Sequence, residues 1–369
     1  MTWLAAVAAL AWVYLALWHG RFWRAGPVLP HARPAIAPPV DVVVPARDEA
    51  DVIGGALASL LAQDYPAFRV TLVDDGSTDG TGDIARDFGD ARLTVLAGAA
   101  RPAGWAGKLW AVHQGVAATD AEWLLLTDAD IHHDPAHLAA LMAGAERSGA
   151  DMVSEMVELA CDSRAERWLV PAFVYFFQLL YPFARVNAPG SRVAAAAGGT
   201  VLIRRAALDR IGGIAAIRGA LIDDVALARA VKRHGKIWLG HGALARSVRP
   251  YPAFADMFRM VARSAYVQLR FSPLLLAGTL VGLGVLFLLP PIAALFAHGA
   301  ARWLGVFAWA LMAATLLPTL RRFRLAPWRA LALPAMAAFY MAATLGSALD
   351  HHRGRGVVWK RRAYTESKA

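Results

Sequence analysis

The first part of the chain alternates short apolar runs with longer segments of helical spacing. The short runs are Val40-Asp41-Val42-Val43-Val44, Val70-Thr71-Leu72-Val73, Leu93-Thr94-Val95-Leu96 and Trp123-Leu124-Leu125-Leu126. Helical patterns lie between them, over about residues 48–62 and 108–118. This rhythm predicts an α/β domain whose mostly parallel, Rossmann-like sheet is covered by helices on both faces. Ligands of such sheets bind at the carboxyl ends of the strands.

Long apolar segments lie near both ends of the chain. Residues 2–18 are long enough for a membrane helix, and bulky residues follow where a signal peptidase needs small ones, so we predict an uncleaved anchor over residues 1–20. Five prolines predict an extended linker over residues 21–39. Three apolar stretches, at about 274–298, 303–319 and 328–348, predict C-terminal membrane helices within residues 273–349.

Two further segments are amphipathic or aromatic. Residues 168–184 are rich in aromatic side chains but contain Pro171 and Pro182, which favours an interfacial helix, with a buried core helix as the alternative. Residues 254–272 place Phe254, Phe258, Val261 and Ala265 on one helical face and Arg259, Arg263 and Arg270 on the opposite one. A basic amphipathic helix is typical of a membrane surface.

Composition and charge support the membrane interpretation. Hydrophobic residues make up 57% of the chain and charged residues 18%, and the net charge is +10. The basic residues flank apolar segments, including a basic tail over 350–369, which indicates lipid headgroups and topology signals, and no nucleic-acid partner. The single cysteine, Cys161, excludes an intramolecular disulfide.

The arginines also predict an orientation. Basic residues follow the first apolar segment, at Arg21 and Arg24, and lie between later ones, at Arg321 to Arg324. Because basic loops stay on the cytoplasmic side, the α/β domain is predicted to face the cytoplasm from a bacterial-type inner membrane. Three full C-terminal spans would then leave the basic tail outside, against the same rule. One of the segments is therefore re-entrant or interfacial, and the sequence leaves open which one.

The strongest chemical signal is Thr127-Asp128-Ala129-Asp130, directly after the fourth apolar run. Carboxylates two residues apart after a buried strand can converge on Mg²⁺ or Mn²⁺, which binds proteins through one or two carboxylates and completes its shell with substrate phosphates. The alternative to a metal site is that both carboxylates lie in a solvent-exposed loop and bind no metal. We predict Asp128 and Asp130 as metal ligands.

Similar polar groups end the other runs. Asp74 and Asp75 precede Gly76 at the end of the second run and could accept hydrogen bonds from a nucleoside, although a capped turn would explain them equally well. Pro45, Arg47 and Glu49 end the first run in the same way. Lys108 follows a glycine-spaced loop and could contact a phosphate, or be a solvated lysine.

Later in the chain, Asp223 and Asp224 stand before a helical pattern. One of them could act as a general base on an acceptor hydroxyl, but acids at a helix start are also stabilised by the helix dipole. Gly198 and Gly199 would allow a sugar or acceptor to approach the backbone, or form a tight turn. The pairs His132-His133 and His351-His352 are predicted to lie in solvated loops, since neither has further metal ligands at suitable spacing.

In combination and in order, these segments resemble family 2 glycosyltransferases of the GT-A fold over residues 40–272. The resemblance rests on Val44-Pro45-Ala46-Arg47-Asp48-Glu49, Val73-Asp74-Asp75-Gly76-Ser77, Lys108, Asp128-Ala129-Asp130, Gly198-Gly199 and Asp223-Asp224. It implies a glycosyltransferase domain over 40–253 that binds a nucleotide sugar, with a UDP-sugar as the first candidate. It assigns the nucleobase to Asp74 or Asp75, the metal and pyrophosphate to Asp128 and Asp130, and the catalytic base to Asp224.

The sequence departs from the family pattern at two motifs, which concern the catalytic base and processive transfer. Asp223 stands where the family has a glutamate, which leaves the base intact. Met260-Val261-Ala262-Arg263-Ser264 keeps only Arg263 of the Gln-x-x-Arg-Trp motif of processive members, so a single transfer is expected. By the same resemblance, Arg263 is predicted to bind the nucleotide sugar. The layout of membrane segments and the ending Gly354 to Tyr364 are similar to membrane-bound lipid glycosyltransferases, in particular the hopene-associated subgroup.

The sequence therefore predicts an inverting glycosyltransferase with a lipid or membrane-associated acceptor such as a hopanoid. Inversion is implied by the resemblance alone. Two alternatives stay open: a nucleotidyl or phosphosugar transferase, which would also use two carboxylates and Mg²⁺, and a non-catalytic membrane carrier or assembly subunit with a nucleotide-binding fold.

Overall fold

A computed structural model describes residues 1–354, 358–359 and 362–363. In chain order, its helices are α1 (Thr2–Leu17), α2 (Ala50–Leu61), α3 (Thr81–Arg86), α4 (Gly107–Ala117), α5 (His137–Ser148), α6 (Arg164–Leu180), α7 (Phe183–Asn187), α8 (Arg205–Arg210), α9 (Asp223–Lys232), α10 (Phe254–Gln268), α11 (Pro273–Leu283), α12 (Leu289–Phe296), α13 (Gly299–Arg322) and α14 (Leu333–His352). Short 3₁₀ or π turns occupy Ile214–Ile217, Gly284–Leu288 and Pro327–Ala332.

The strands are β1 (Val40–Ala46), β2 (Phe68–Asp74), β3 (Leu93–Ala97), β4 (Trp123–Thr127), β5 (Ile131–His133), β6 (Met152–Glu158), β7 (Thr200–Arg204), β8 (Ile237–Ser247), β9 (Val358–Trp359) and β10 (Arg362–Ala363). The chain divides into two compact units. One contains residues 27–160, 186–249 and 358–369, and the other contains residues 1–26, 161–185 and 250–357.

The first unit is built on a sheet with the strand order β3-β2-β1-β4-β7-β6-β8-β5. The predicted runs form β1 to β4, which pair in parallel. Strand β7 pairs antiparallel with both β4 and β6, and β5 pairs antiparallel with β8. The predicted parallel pairing of β1 to β4 is confirmed. Strands β6 and β8 also pair in parallel. Strands β5 to β8 were not predicted, because β5 has only three residues and polar or glycine residues interrupt the apolar runs of β6 and β8.

β-branched residues fill the centre of this unit. Val42, Val43 and Val44 are fully buried in β1, because helices cover both faces of the sheet there. Gly115 of α4 shows how tightly one face is covered, since a Cβ at this position would lie 2.4 Å from a methyl of Val43. This packing fixes the carboxyl ends of β1 and β4, which carry the predicted polar groups.

The second unit consists of helices. Within the described residues, three helical segments are long and apolar enough to cross a membrane: Pro273–Phe296, Gly299–Arg322 and Pro327–His352. They match the three predicted stretches. Helix α1 has 16 residues, about 24 Å of helix, which is shorter than the hydrocarbon core. The membrane anchor over residues 1–20 therefore stays a prediction, because α1 by itself is too short to cross the hydrocarbon core.

The two helices predicted at the interface are also present. α6 begins after Ser163, whose hydroxyl accepts the N–H of Glu166 while the Glu166 carboxylate accepts the N–H of Ser163, a reciprocal capping box. Tyr175 in α6 is fully buried and its hydroxyl lies 2.8 Å from Thr315 Oγ1 of α13. In α10, by contrast, Arg259, Arg263 and Arg270 at or just beyond the helix are all exposed.

Some predictions need correction or stay untested. In α10 the buried residues are Met257, Val261 and Tyr266, whereas Phe254 is 49% exposed, so the inward face is rotated from the predicted one. His351 and His352 end helix α14 and do not lie in a loop. Much of the predicted basic tail, at residues 355–357, 360–361 and 364–369, lies outside the described residues.

Candidate functional site

Two strand-end loops of the sheet unit are joined by hydrogen bonds. Asp48, which has a left-handed φ of 48°, donates its N–H to Ser77 Oγ (3.1 Å) and accepts the N–H of Thr78 on its carboxylate (2.9 Å). The N–H of Glu49 donates to Thr81 Oγ1 at 2.8 Å. These bonds hold the end of β1 against the loop after β2, so the polar residues of both loops form one edge.

Arg47 and Asp75 belong to this framework. The Arg47 guanidinium donates to the carbonyls of Asp75 and Gly76 and lies 3.7 Å from the Asp75 carboxylate, whose side chain is 3% exposed. Asp74 is partly buried, and its carboxylate accepts the N–H of Ser77 at 2.9 Å. The structure thus brings the predicted nucleoside-binding residues together, and the greater exposure of Asp74 makes it the better candidate of the two acids.

Beside these loops lies a cleft. It opens at the carboxyl ends of β1 and β4. Its walls combine apolar side chains with three of the acids predicted from the sequence. The lining residues are Pro45, Lys108, Leu109, Val112, Leu126, Thr127, Asp128, Gly198, Val201, Ile214, Ile217, Asp223, Asp224 and Leu227. A concave, mainly apolar site with a few converging polar groups is typical of a ligand-binding pocket.

Lys108 is the centre of the polar part of the cleft. Its ammonium lies 2.7 Å from Asp128 and 3.1 Å from Asp223, and the lysine side chain is 23% exposed. Lys108 begins the first turn of α4, and the two aspartates come from the end of β4 and the start of α9. We call Lys108, Asp128, Asp223 and Asp224 the lysine cluster.

The charges of the lysine cluster do not balance. Burial disfavours the charged form of Lys108, but the three carboxylates outweigh burial and raise its pKa. Burial, and then the charge of Asp223, raise the pKa of Asp224 to about 7. Burial also raises the pKa of Asp128, opposed by Lys108. One ammonium therefore serves three carboxylates, which leaves room for further positive charge.

Asp130 is held differently. Its carboxylate, 11% exposed, accepts a hydrogen bond of 2.6 Å from the guanidinium of Arg249. The same guanidinium lies 2.8 Å from Glu49, whose side chain is 10% exposed. Arg249 therefore bridges two acids that were both predicted to contact the donor or its metal. The sequence reasoning missed Arg249, because only the fold brings it to residues 119 and 200 positions earlier.

The paired glycines lie beside the lysine cluster. A Cβ at Gly198 would come within 3.4 Å of Asp224 Oδ2, so a side chain here would crowd the lysine cluster. The carbonyl of Gly199 accepts the hydroxyl of Thr127 at 2.8 Å and the N–H of Asp128 at 3.2 Å. The backbone at these glycines thus forms part of the wall of the cleft.

Two predicted residues have other surroundings. Arg263 is exposed on α10 of the helical unit, and its role toward a donor stays a prediction. His133 is 4% exposed in strand β5, so its assignment to a solvated loop was wrong. Its Nδ1 lies 2.8 Å from Nδ1 of His137, the first residue of α5, because the short turn between β5 and α5 brings the two rings together.

A divalent cation fits the lysine cluster better than it fits Asp130. Among the described residues, no group of three or more His, Cys, Asp and Glu side chains could hold a metal by itself. The Asp128 side chain is 34% exposed in an under-neutralised cleft and could bind Mg²⁺ or Mn²⁺ together with phosphate oxygens of a ligand. Asp130 could join only by exchanging Arg249.

Comparison with known proteins agrees with this geometry. Residues 41–212 match the family model for glycosyl transferase family 2. The chain carries a family 2 glycosyltransferase domain. The match contains β1 to β7, Lys108, Asp128, Asp130 and both glycines, and it ends before Asp223.

Individual relatives are more distant. The 4,4'-diaponeurosporenoate glycosyltransferase of Staphylococcus aureus (strain bovine RF122 / ET3-1) is 36% identical over 90 residues, 24% of this chain. The alignment spans 23% of the length of that relative. Among solved structures, the mannosyltransferase PcManGT from Pyrobaculum calidifontis, in complex with GDP-Man and Mn²⁺, has a TM-score of 0.57 at 22% identity.

The solved neighbour decides the fold. The likeness covers 95% of this chain and 99% of that chain, and at this level of identity it concerns the fold alone. The predicted fold class, a GT-A domain with C-terminal apolar helices, is confirmed.

Proposed function

We propose that this protein transfers a single sugar from a nucleotide diphosphate sugar to a lipid or membrane-associated acceptor, with inversion at the anomeric carbon. The observation that carries the proposal is the lysine cluster, in which one ammonium and three carboxylates converge at the strand ends of a glycosyltransferase domain. Such a cluster can stabilise a departing diphosphate and accept a proton from an attacking hydroxyl. A UDP-sugar is the first candidate donor.

Asp224 is the proposed general base. A base works best when its pKa lies near the operating pH, and the pKa of Asp224 is raised to about 7 by burial and by Asp223. The N–H of Val225 donates to Asp224 Oδ1 at 2.7 Å and fixes the carboxylate at the start of α9. Asp223 supports the base, because its charge raises the pKa of Asp224 and its carboxylate holds Lys108.

The leaving group is assigned to Lys108 and Asp128. When bound, Mg²⁺ or Mn²⁺ would neutralise the negative charge that develops on the departing diphosphate. Asp128 would hold the cation, and Asp130 would join it on release from Arg249. With a cation beside Asp128, Lys108 would be available to hold a phosphate oxygen of the donor.

The joined strand-end loops are assigned to the donor. Asp74 and Asp75 would recognise the nucleobase and ribose, supported by Pro45, Arg47 and Glu49 of the neighbouring strand end. Gly198 and Gly199 would let the sugar approach the backbone. Arg263 is proposed as a further donor-binding residue, as the family resemblance implies.

Three helices long enough to span a membrane support a lipid acceptor. The protein would be a multi-pass protein of a bacterial-type inner membrane with its glycosyltransferase domain in the cytoplasm. A hopanoid is the first candidate acceptor. The curated relative is named for 4,4'-diaponeurosporenoate and the solved neighbour holds GDP-Man, so both compounds belong in the test panel.

The test compares lipid extracts by mass spectrometry from cells that express the full-length protein, the Asp224→Asn variant or neither. A lipid heavier by one hexose or related sugar, present only with the intact protein, is the expected result. The purified protein should form the same product from one of UDP-, GDP- or dTDP-sugars with Mg²⁺ or Mn²⁺. A nucleotidylated product, or identical lipids in all three cells, would refute the proposal.

A further inference from the structure

A chain of buried polar side chains runs behind the wall of the cleft. Glu155 Oε1 of β6 lies 2.7 Å from His137 Nε2, and His137 Nδ1 lies 2.8 Å from His133 Nδ1. His133 Nε2 lies 3.2 Å from Thr127 Oγ1, which donates to the carbonyl of Gly199 at 2.8 Å. We call Glu155, His137, His133 and Thr127 the histidine relay.

The histidine relay is shielded from water. His137 and Glu155 are fully buried, Thr127 is 2% exposed and His133 is 4% exposed. Buried polar groups must find partners within the protein, because an unsatisfied one is costly. Burial, followed by the neighbouring histidines, lowers the pKa of His133 well below its ordinary value, so its ring is neutral.

The donors and acceptors of the relay can be assigned one by one. The Gly199 carbonyl only accepts, so the single hydroxyl hydrogen of Thr127 points to it. His133 Nε2 must then carry a hydrogen toward Thr127, and a neutral His133 is left with Nδ1 as an acceptor. His137 Nδ1 therefore carries the hydrogen between the two rings.

The last link follows from the others. With His137 Nδ1 protonated, one proton is shared between His137 Nε2 and Glu155 Oε1. Among the described residues, the second oxygen of Glu155 is buried without a hydrogen-bond partner.

The relay ends on the backbone of the candidate site. The Gly199 carbonyl receives the Thr127 hydroxyl and also the N–H of Asp128, the acid beside Lys108. Ser154, next to Glu155 in β6, exchanges two bonds of 3.0 and 2.9 Å with the carbonyl and N–H of Ala197. The segment from Ala197 to Gly199 is thus fixed at both ends from β6 and β4.

We propose that the histidine relay positions Asp128 and Gly198 for donor binding by fixing the carbonyl of Gly199. The inference rests on the proposed function, which assigns these two residues to the donor. Thr127, His133, His137 and Glu155 are positioning residues in this account. They act on the donor through the backbone at Gly199.

Four substitutions test the relay in the full-length protein. Thr127→Val keeps the volume but removes the hydroxyl, and Glu155→Leu removes the far end of the relay. Thr127→Ser keeps the hydroxyl. Glu155→Gln keeps the direction of every bond, because the amide N–H can donate to His137 Nε2 in place of the shared proton. Thr71→Val, on β2 and outside the relay, is the control for replacing a buried threonine.

Transfer rate and donor KM are measured per folded molecule, with folding checked by thermal unfolding. Loss of supporting residues costs about 10- to 100-fold in affinity or activity. We expect a loss of this size, with a raised donor KM, in Thr127→Val and Glu155→Leu, and rescue in Thr127→Ser and Glu155→Gln. Lowered stability with unchanged kcat and KM in Thr127→Val, or a Glu155→Gln as inactive as Glu155→Leu, would overturn the relay.

A second measurement separates this inference from the proposed function. ¹⁵N NMR of labelled histidines reports the tautomer of His133, assigned by the signals lost in His133→Gln. The Nε2–H form is expected, and an Nδ1–H form would overturn the relay even in an active enzyme. A wild-type protein that neither binds nucleotide diphosphates nor transfers sugar would instead refute the proposed function, and the donor-positioning role with it.

Discussion

Two groups of acids at the same sheet edge are held in different ways. In the lysine cluster, one ammonium faces three carboxylates, and the pKa of Asp224 is raised to about 7. At Arg249, a guanidinium contacts Asp130 and Glu49, and both acids are nearly buried at 10–11% exposure. The first group retains unbalanced charge in a cleft, whereas the second resembles a structural ion-pair bridge.

The difference separates acids that look equivalent in the sequence. Asp128 and Asp130 are two residues apart, yet their surroundings differ. Asp128 faces the cleft, whereas Asp130 pairs with Arg249, which lies 119 residues later in the chain. Perturbed pKa values concentrate at functional sites, because ligands and reaction steps need groups that the folded protein leaves partly unsatisfied. We therefore expect the two groups to respond differently to substitution.

The largest contrast concerns donor binding. Asp128→Ala should weaken Mg²⁺- or Mn²⁺-dependent binding of UDP about 100-fold, since it removes the cleft-facing carboxylate proposed to hold the cation. Isothermal titration with UDP, GDP and dTDP, with each metal and in EDTA, measures this. Asp130→Ala should weaken binding less. Equal binding in EDTA would refute the metal role, and a larger effect of Asp130→Ala would reverse the contrast.

The second prediction concerns pH. Because Asp224 acts as a base only when ionised, kcat/KM should fall about tenfold per pH unit below about 7 and level off above it. Asp223→Asn removes a charge that raises the pKa of Asp224, so the midpoint should move to lower pH. A profile in which the midpoint does not move, or moves upward, would contradict the electrostatic coupling.

The third prediction concerns stability. Arg249→Met should lower the free energy of unfolding by about 2 kcal/mol, because it leaves two nearly buried carboxylates without their shared cation. Arg86→Met removes an exposed pair with Asp83 and should cost less than about 0.5 kcal/mol. Thermal unfolding of both variants in the same detergent gives the comparison. Equal losses would show that the Arg249 bridge is no stronger than a surface pair.

The smallest expected effect is in the helical unit. Deletion of residues 1–20 should leave the protein in the membrane fraction after carbonate extraction, because three other helical segments are long enough to span a membrane. The full-length protein serves as the control. A folded, soluble truncated protein would mean that the C-terminal helices do not anchor it.

The sequence predicted the parallel half of the sheet and the apolar helices because both depend on local composition. β-branched runs such as Val42 to Val44 form a buried strand wherever they are covered on two faces. The order of strand-end motifs then placed Asp128 near Lys108. Strands β5 to β8 were missed because β5 has only three residues and polar or glycine residues interrupt the apolar runs of β6 and β8.

Contacts between residues that are distant in sequence could not be predicted from local patterns. Nothing near Asp130 indicates that Arg249 will pair with it, and the structural use of Arg47 depends on the loop after β2. His133 was placed in a solvated loop because no further metal ligands lie at suitable spacing, whereas its burial follows from the pairing of β5 with β8. The surroundings of these three residues depend on long-range contacts, which cannot be inferred from one sequence alone.

The central claim is that the lysine cluster performs the chemistry, with Asp224 as its base. Asp224→Asn preserves the size of the side chain but removes the base, so kcat should fall by about 10² to 10⁴ while the Kd for the nucleotide stays nearly unchanged. Asp223→Asn should lower kcat less. Measuring kcat, Kd and melting temperature on the same samples tests this directly. A normal kcat in Asp224→Asn, or an inactive Asp223→Asn beside an active Asp224→Asn, would contradict it.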